Sequence, residues 1–429
     1  MQLFALEDAR EENGRREGSL LLLAAAFVLA NGAALSLAVA GGVRLSHLLA
    51  PLLWVALMGA AHFVLHRYKP QRDPFLLPIY ALLTGWGLVL IDRLAANFLW
   101  RQMVWVGLGT AVLLLVAILP PSLRVLRRYR YTLLIGGLLL LAATLLFGVN
   151  PSGYGAALWL PIPFIGGVYF QPSELLKLLL IVFLASYFEE RGPLLAHSRQ
   201  HDWRSLLANL APLLLMWGFC IILLVWQQDL GGAVIFFVVF LALLYLATGD
   251  GRFVWAGGLM LLAAAVFAYF AFDVVALRVN AWLNPWPDAD NRAYQIVQAL
   301  HALAAGGILG QGVGQGYPNY IPVVHSDFAF AAIAEEWGLV GSLSVVTLFI
   351  VLAYRGLKLA LVAKRPFHRY LAAGITILFS AQTLLIMGGV TRLLPLTGVT
   401  LPFVSYGGSS LLVSSAMLGL LLYLSGKVQ

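Results

Sequence analysis

The feature that most constrains this chain is a succession of long apolar segments. About twelve stretches are predominantly apolar over roughly 17 residues or more, the length that an α-helix needs to cross a bilayer. They lie at about 20–40, 48–65, 75–91, 103–119, 132–148, 173–188, 205–226, 230–248, 253–272, 326–352, 371–391 and 404–425. A transmembrane β-barrel would instead show alternating segments of about ten residues. The pattern predicts an all-α polytopic membrane protein.

Composition excludes the soluble alternatives. Of 429 residues, 61% are hydrophobic and 11% are charged, against about 45–50% and about 25% in soluble domains. This composition excludes a cytosolic enzyme and a disordered chain. An ordinary nucleic-acid binder is excluded as well, because the basic residues behind the net charge of +8 form no groove-sized cluster. Cys220 is the only cysteine, so neither an internal disulfide nor a cysteine-based metal site is expected.

The distribution of basic residues predicts the orientation. Twenty of the 27 Lys and Arg residues fall in one alternating set of connections, and Lys177 falls within a span. The other set holds six arginines: Arg44, Arg93, Arg101, Arg278, Arg292 and Arg392. Because cytoplasmic loops carry the excess of basic residues, both termini are expected inside.

Two connections are too long to be simple turns. They cover about 149–172 and 273–325, and both are expected outside. Long loops in compact proteins are usually functional or disordered. The second is rich in Trp, Pro, Gly and Asn, so we expect it to be ordered and packed on the membrane surface.

Charged residues inside or beside spans are functional candidates, since each costs about 2.5–3.5 kcal/mol at the bilayer centre. Glu174 and Lys177 are three residues apart and can pair on one helix face. Asp229 is expected in an outer turn, where a structural and a functional role are both open. Asp327 and Glu335 fall within about 80° on a helical wheel at the start of the tenth span.

Other motifs indicate structure rather than chemistry. The glycines at 310, 312, 314 and 316 follow no predicted strand, so they predict a tightly turned loop rather than a dinucleotide site. His325 could ligate a metal or form an interhelical hydrogen bond. The small residues at 405–410 favour close helix packing.

Several motifs in order and spacing resemble those of one family, the SEDS proteins (shape, elongation, division and sporulation), which contain RodA and FtsW. The matching motifs are Gln171-Pro172-Ser173-Glu174 with Lys177, Gln228-Asp229-Leu230-Gly231, Asn284-Pro285 with Asp288 and Tyr294-Gln295, His325-Ser326-Asp327-Phe328 with Glu335-Glu336, and Pro395-Leu396-Thr397-Gly398 through Ser405-Tyr406-Gly407-Gly408-Ser409-Ser410. The resemblance implies a ten-span core at 75–425 with an extracytoplasmic loop at 273–325. Residues 20–74 would then be two additional N-terminal transmembrane helices, preceded by a cytoplasmic segment at 1–19, and residues 426–429 would be a cytoplasmic tail after the core.

The same resemblance implies a peptidoglycan glycosyltransferase of the bacterial cytoplasmic (inner) membrane. It would polymerise lipid II at the outer face and release undecaprenyl pyrophosphate, in cell elongation or division. The implied partner is a class B penicillin-binding protein, a transpeptidase, and no nucleic acid is involved. A lipid II flippase and a non-catalytic scaffold for the transpeptidase stay open as alternatives.

The resemblance also implies site residues. The family's essential loop aspartate aligns with Asp288, our expected general base, but 288–294 lacks the family's usual Pro and Gly residues, which leaves Asp290 as a rival. Independently of the resemblance, Asp327 and Glu335 are candidates either for orienting the loop or for binding a divalent cation, Mg or Mn. The candidate substrate-binding residues are Arg278, Arg292, Lys177, Glu174, Asp229, Trp286, Tyr294, Gln298, His325 and Ser409.

Overall fold

Long helices account for every predicted span. The computed structural model describes residues 2–40, 42, 44–119, 122–150, 156–162, 167–198 and 203–428. The helices are α1 (Gln2–Ala40), α2 (Leu45–Tyr68), α3 (Leu76–Leu94), α4 (Leu99–Ile118), α5 (Arg124–Arg128), α6 (Arg130–Phe147), α7 (Pro172–Ser198), α8 (Trp203–Trp226), α9 (Leu230–Thr248), α10 (Gly251–Ala271), α11 (Asp273–Leu283), α12 (Tyr294–Gly306), α13 (Ala329–Val362), α14 (Pro366–Val390) and α15 (Gly408–Val428). Two short strands, β1 (Leu160–Pro161) and β2 (Tyr169–Phe170), pair antiparallel with Leu160 opposite Phe170.

The architecture is that of a multi-pass membrane protein. In the described part of the chain, ten helices are long and apolar enough to cross a membrane. Helix α7 is also long enough to cross a membrane, but it is not among these ten and carries charged residues that include Glu174, Lys177 and Glu189. Helix α8 contains a shorter apolar stretch, Leu210–Trp226. Because each of the twelve predicted spans overlaps a long helix, the prediction of an all-α polytopic fold is confirmed.

Two segments are more helical than the apolar pattern indicated. Helix α1 begins at Gln2, so the polar segment before the predicted span at 20–40 is helical too. Arg15 and Arg16 each pair with a glutamate four residues earlier, at 3.1 and 2.8 Å, which supports a helix in water. The long connection at 273–325 is not a plain loop, since it contains α11 and α12.

Helices α3, α14 and α15 form the centre of the bundle, and most of their side chains are buried. Helix α15 packs along α4, and α14 packs against α13, α7 and α9. Helix α10 lies at the periphery, where it contacts α9 and α11 and buries only Gly257 within the described helix. The central helices therefore form a rigid base for the segments that connect them.

Connections alternate between two ends of the bundle. We call one of them the loop end; it carries segments 95–98, 148–171, 227–229, 272–328 and 391–407. Residues 151–155 and 163–166 of the predicted loop 149–172 lie outside the described residues. The opposite end carries the ion pairs Arg355–Asp73, Arg127–Glu189 and Arg130–Glu190.

Candidate functional site

A buried polar network lies where α7 and α14 meet at the loop end. The Lys177 ammonium donates hydrogen bonds to Glu174 Oε1 at 2.8 Å and to Gln382 Oε1 at 3.1 Å. Gln382 in turn donates to the carbonyl of Thr400 at 2.8 Å. Glu174, Lys177 and Gln382 are all buried, so the predicted Glu174–Lys177 pair exists and is satisfied internally.

Asp229 lies beside this network in the turn before α9. Its carboxylate accepts a hydrogen bond from the backbone N–H of Gly232 at 2.9 Å and so caps the helix. Burial raises the pKa of Asp229, while the Gly232 N–H, the charge of Lys177 and the hydroxyl of Ser173 oppose that rise. The turn predicted at Asp229 is observed, and the carboxylate has a structural role there as a helix cap.

Arg278 and Asp327 both lie near Gly398. Arg278, on α11, donates to the carbonyl of Thr397 at 3.2 Å. A β-carbon at Gly398 would lie 3.4 Å from Arg278 Nη2 and 3.6 Å from Asp327 Oδ2, and Gly398 has a φ of +71°, which favours glycine. The 397–398 segment therefore lies close to both charged groups.

Burial shifts the pKa values of both groups in opposite directions. It lowers the pKa of Arg278, and the negative charges of Asp327 and Asp229 oppose this. It raises the pKa of Asp327, opposed by the Ser326 hydroxyl, which donates to Asp327 Oδ1 at 2.9 Å, and by the Arg278 charge. The positive charge of Arg278 therefore interacts with the negative charges of both Asp229 and Asp327.

Asp288 occupies a different setting, on the turn between α11 and α12. It ends a short 3-10 helix, Trp286–Asp288, and its backbone carbonyl accepts from the N–H groups of Asn291 and Ala293 at 3.2 and 3.1 Å. Its side chain is half-buried, and no described residue hydrogen-bonds to its carboxylate or forms an ion pair with it. The backbone is fixed while the carboxylate is left available.

The turn's other candidates differ mainly in exposure. Asp290 and Arg292 are exposed, as is Trp286, whose ring lies 6.4 Å from that of His301. Tyr294 and Gln298 are half-buried on the first turns of α12. The two candidate carboxylates therefore differ in exposure, since Asp288 is half-buried and Asp290 is exposed.

Asp327 and Glu335 do not share a helix face, so that expectation was wrong. Asp327 precedes α13, which begins at Ala329, and the helical wheel therefore does not apply to it. Glu335 instead accepts from the N–H of Tyr317 at 2.7 Å. Its neighbour Glu336 accepts from Arg93 at 2.9 Å and from the N–H of Gly314 at 3.1 Å. The two glutamates hold the turned glycine loop against α13.

The candidate cation ligands find no third partner. Among the residues that the structure describes, no group of three or more His, Cys, Asp or Glu side chains could hold a metal ion. Asp327 faces Arg278, and Glu335 is occupied by a backbone N–H. These two side chains do not fit a cation cage of their own.

His325 and Ser409 have structural partners. The ring of His325 lies 5.4 Å from Phe98 and 5.8 Å from Tyr406, and its carbonyl accepts from the Tyr406 N–H at 2.8 Å. Ser409 accepts from the N–H of Gln171 at 3.0 Å, which ties α15 to the segment before α7. Burial lowers the pKa of His325.

Sequence reasoning missed four contributors to this region, of which three had left a signal. Arg93, Arg101 and Arg392 are among the six arginines on the side that the charge bias leaves poor in basic residues. In the structure Arg93 binds Glu336 and Arg392 binds the end of α11, while the charge of Arg101 acts on Tyr406. Their position against the charge bias was the signal that could have singled them out. Gln382, the fourth, carried only the weaker signal of an amide within a span.

Comparison with known proteins decides the family. The model of the cell cycle protein family FtsW/RodA/SpoVE matches residues 75–429. The chain belongs to this family. Helices α1 and α2 precede the matched region.

Similar curated proteins carry both names. The protein named peptidoglycan glycosyltransferase RodA of Mycobacterium tuberculosis is 38% identical over 391 residues, covering 87% of this chain and 82% of that one. The probable peptidoglycan glycosyltransferase FtsW of Geobacter sulfurreducens is 35% identical over 334 residues, covering 77% and 86%.

Solved structures agree with this fold. A chain of a peptidoglycan synthase complex, described as coordinating polymerization and crosslinking, is 30% identical with a TM-score of 0.69 and covers 83% of this chain and 98% of that one. The rod shape determining protein RodA of Thermus thermophilus is 29% identical with a TM-score of 0.59, covering 82% and 96%.

Proposed function

We infer that this protein is a peptidoglycan glycosyltransferase that polymerises lipid II into glycan strands and releases undecaprenyl pyrophosphate. The family membership and the names of its relatives support this activity. The observation that carries the mechanism is the carboxylate of Asp288, which is half-buried on a fixed turn and lacks a partner among the described residues. The neighbouring buried carboxylates, by contrast, are already engaged.

The reaction is a direct displacement. Asp288 takes the proton of the acceptor sugar hydroxyl, whose oxygen attacks the anomeric carbon of the donor. The bond from that carbon to the phosphate oxygen breaks, and its electron pair leaves with undecaprenyl pyrophosphate. The α-linked donor becomes a β-linked product in one inversion, so no covalent enzyme intermediate is required.

Substrate contacts follow from exposure and charge. Arg292 is exposed beside Asp288, and a guanidinium suits bidentate phosphate binding, so it contacts the leaving pyrophosphate. Trp286 and Tyr294 flank the turn and offer ring faces to the sugars. We propose that Arg278, Lys177, Glu174 and Asp229 support the cavity beneath the loop, and that Gln298, His325 and Ser409 line the substrate site.

The proposed orientation places the loop end on the outer face of the bacterial cytoplasmic membrane, with both termini inside. The excess of basic residues at the opposite end supports it. An impermeant maleimide tests it, with Cys220 removed and a cysteine at the exposed position Asn291. Labelling from outside supports the orientation, and labelling only after permeabilisation contradicts it.

We also propose a class B penicillin-binding protein as the partner. The similar chain from a synthase complex that coordinates polymerization with crosslinking supports it.

No step of the mechanism uses a divalent cation. An assay in excess EDTA tests whether a divalent cation is needed. Loss of polymer that Mg or Mn restores would establish a cation requirement, and unchanged activity would rule it out.

One assay separates the three candidate functions. Purified protein with its partner is given radiolabelled lipid II in detergent, where there is no membrane to cross. Polymer identifies an enzyme. No polymer in detergent but transfer of lipid II across vesicles identifies a flippase, and neither activity leaves the scaffold.

A further inference from the structure

Arg392 forms a reciprocal clamp with the end of α11. Its Nε donates to the carbonyl of Trp282 at 2.9 Å, and its Nη2 donates to the carbonyl of Leu283 at 3.2 Å. The indole Nε1 of Trp282 donates back to the carbonyl of Arg392 at 3.2 Å. Three hydrogen bonds therefore join the segment after α14 to the last two residues of α11.

The chemistry of the clamp matches what a helix end requires. The last carbonyls of an α-helix have no partner within the helix, and a cation there also interacts favourably with the helix dipole. Arg392 provides both although its φ is +59°, in the left-handed region that favours glycine. The chain thus places an arginine where a glycine would fit the backbone with less strain.

The clamp lies immediately before the catalytic turn. Helix α11 ends at Leu283, and the Trp286–Asp288 turn follows after Asn284 and Pro285. Because the Asp288 carboxylate has no partner among the described residues, its position is fixed only by the backbone segments before and after Asp288.

The same segment holds the other flank of the turn. Leu396 packs against a small buried cluster of Ala281, Ala293 and Ile296. Residues 392–396 therefore contact the chain both before and after Asp288. Neither contact involves an atom that the reaction would touch.

We propose that Arg392 is a positioning residue that sets the location of the Asp288 carboxylate through the end of α11. This proposal rests on the function inferred for Asp288. Loss of the guanidinium releases the end of α11, so the turn samples positions in which the carboxylate cannot reach the acceptor hydroxyl. A misplacement of about 1 Å can cost about a hundredfold in rate.

The test compares Arg392→Gly, Arg392→Lys and the control Leu393→Ala in the full-length protein with its partner. Glycine suits the positive φ, so it removes the donors without adding strain. Lysine keeps the charge but cannot bind both carbonyls with the geometry of a guanidinium. Leu393 is a neighbouring side chain that is 75% exposed.

Two readouts are expected to change together. In Arg392→Gly, kcat on lipid II falls about 10- to 100-fold with KM within about twofold, because positioning rather than binding is lost. Hydrogen–deuterium exchange rises in the amides of 284–293 but not in those of 329–345 on α13. Arg392→Lys gives an intermediate kcat, and Leu393→Ala changes neither readout.

Three results would overturn the proposal. They are unchanged exchange at 284–293 in Arg392→Gly, a kcat equal to that of Leu393→Ala, or a raised KM with normal kcat, which would indicate direct substrate contact. The exchange readout does not depend on Asp288 performing chemistry. An active Asp288→Asn variant would therefore refute the proposed base while leaving the clamp itself under test.

Discussion

Lys177 and Glu174 form an ion pair of 2.8 Å in the interior of the bundle, with side-chain exposures of 4% and 9%. Gln382 is the second acceptor for the same ammonium. A buried pair of this kind contributes little relative to apolar residues, but losing one partner leaves an uncompensated charge. Substituting one partner alone is therefore expected to destabilise the protein more than substituting both.

We expect Lys177→Met alone to destabilise the protein by about 3–5 kcal/mol, because it strands the Glu174 carboxylate. The double variant Lys177→Met/Glu174→Gln should recover most of that loss. Thermal unfolding in detergent at fixed protein and detergent concentrations measures both. A double variant that is no more stable than Lys177→Met would contradict the pairing.

A substitution at Gly398 tests the close packing of this glycine beside Arg278 and Asp327. Gly398→Ala adds a β-carbon 3.4 Å from Arg278 Nη2 at a φ of +71°. The left-handed conformation alone costs about 1–2 kcal/mol for a residue with a side chain. The expected result is a lower midpoint of thermal unfolding and reduced polymer synthesis.

Gly258→Ala is the matched control for that substitution. Nothing lies within 4 Å of a β-carbon at Gly258, which is on the peripheral helix α10. Alanine is favoured over glycine inside a helix by about 0.5–1 kcal/mol, so this variant should be as stable as the parent or more stable. Equal loss in both variants would show that Gly398 has no special role.

Asp327 predicts a particular pH dependence. Burial raises its pKa above the ordinary value of 3.8, so the folded state favours the protonated form. The stabilisation that Asp327 contributes is fully present below the pKa that its carboxyl has in the unfolded chain. It is lost as the pH rises through the higher pKa that the carboxyl has in the folded protein. Asp327→Asn does not titrate and lacks this loss.

The measurement for Asp327 is the difference in unfolding midpoint between the parent protein and Asp327→Asn across about pH 4 to 8. The parent is expected to lose stability relative to the variant as the pH rises through this window. A constant difference, or one of opposite slope, would contradict the raised pKa.

Arg292 is expected to affect substrate interaction rather than folding, because its side chain is exposed. A hydrogen bond to a charged group contributes about 1.5–3 kcal/mol, so Arg292→Gln should lower kcat/KM about 10- to 100-fold. Arg292→Lys should retain part of the activity. Arg44→Gln, an exposed arginine at the start of α2, serves as the control. Equal activity in Arg292→Gln and Arg44→Gln would remove the phosphate contact.

The sequence predicted the membrane fold because apolar length needs no tertiary information. It also predicted the Glu174–Lys177 pair, since a spacing of three residues on one helix fixes proximity. It misjudged Asp327 and Glu335 because the predicted span began at 326, whereas α13 begins at Ala329. Asp327 lies two positions before that start, so the helical wheel does not apply to it.

Contacts between distant segments could not be read from spacing. The bond from Arg392 to Trp282 joins residues 110 positions apart, and that from Lys177 to Gln382 joins residues 205 apart. Glu336 likewise binds Arg93, 243 positions earlier. These pairings arise from helix packing, for which a single sequence carries no direct signal.

The most direct test of the account compares Asp288→Asn with Asp290→Asn on purified lipid II, with the partner present. Asparagine keeps the size of the side chain but cannot accept the proton, and loss of a general base costs about 10²–10⁴-fold in rate. The account predicts that loss in kcat for Asp288→Asn, with an unfolding midpoint equal to that of the parent, and near-normal polymer synthesis for Asp290→Asn. Polymer formation by Asp288→Asn at the parent rate, or its abolition by Asp290→Asn alone, would contradict it.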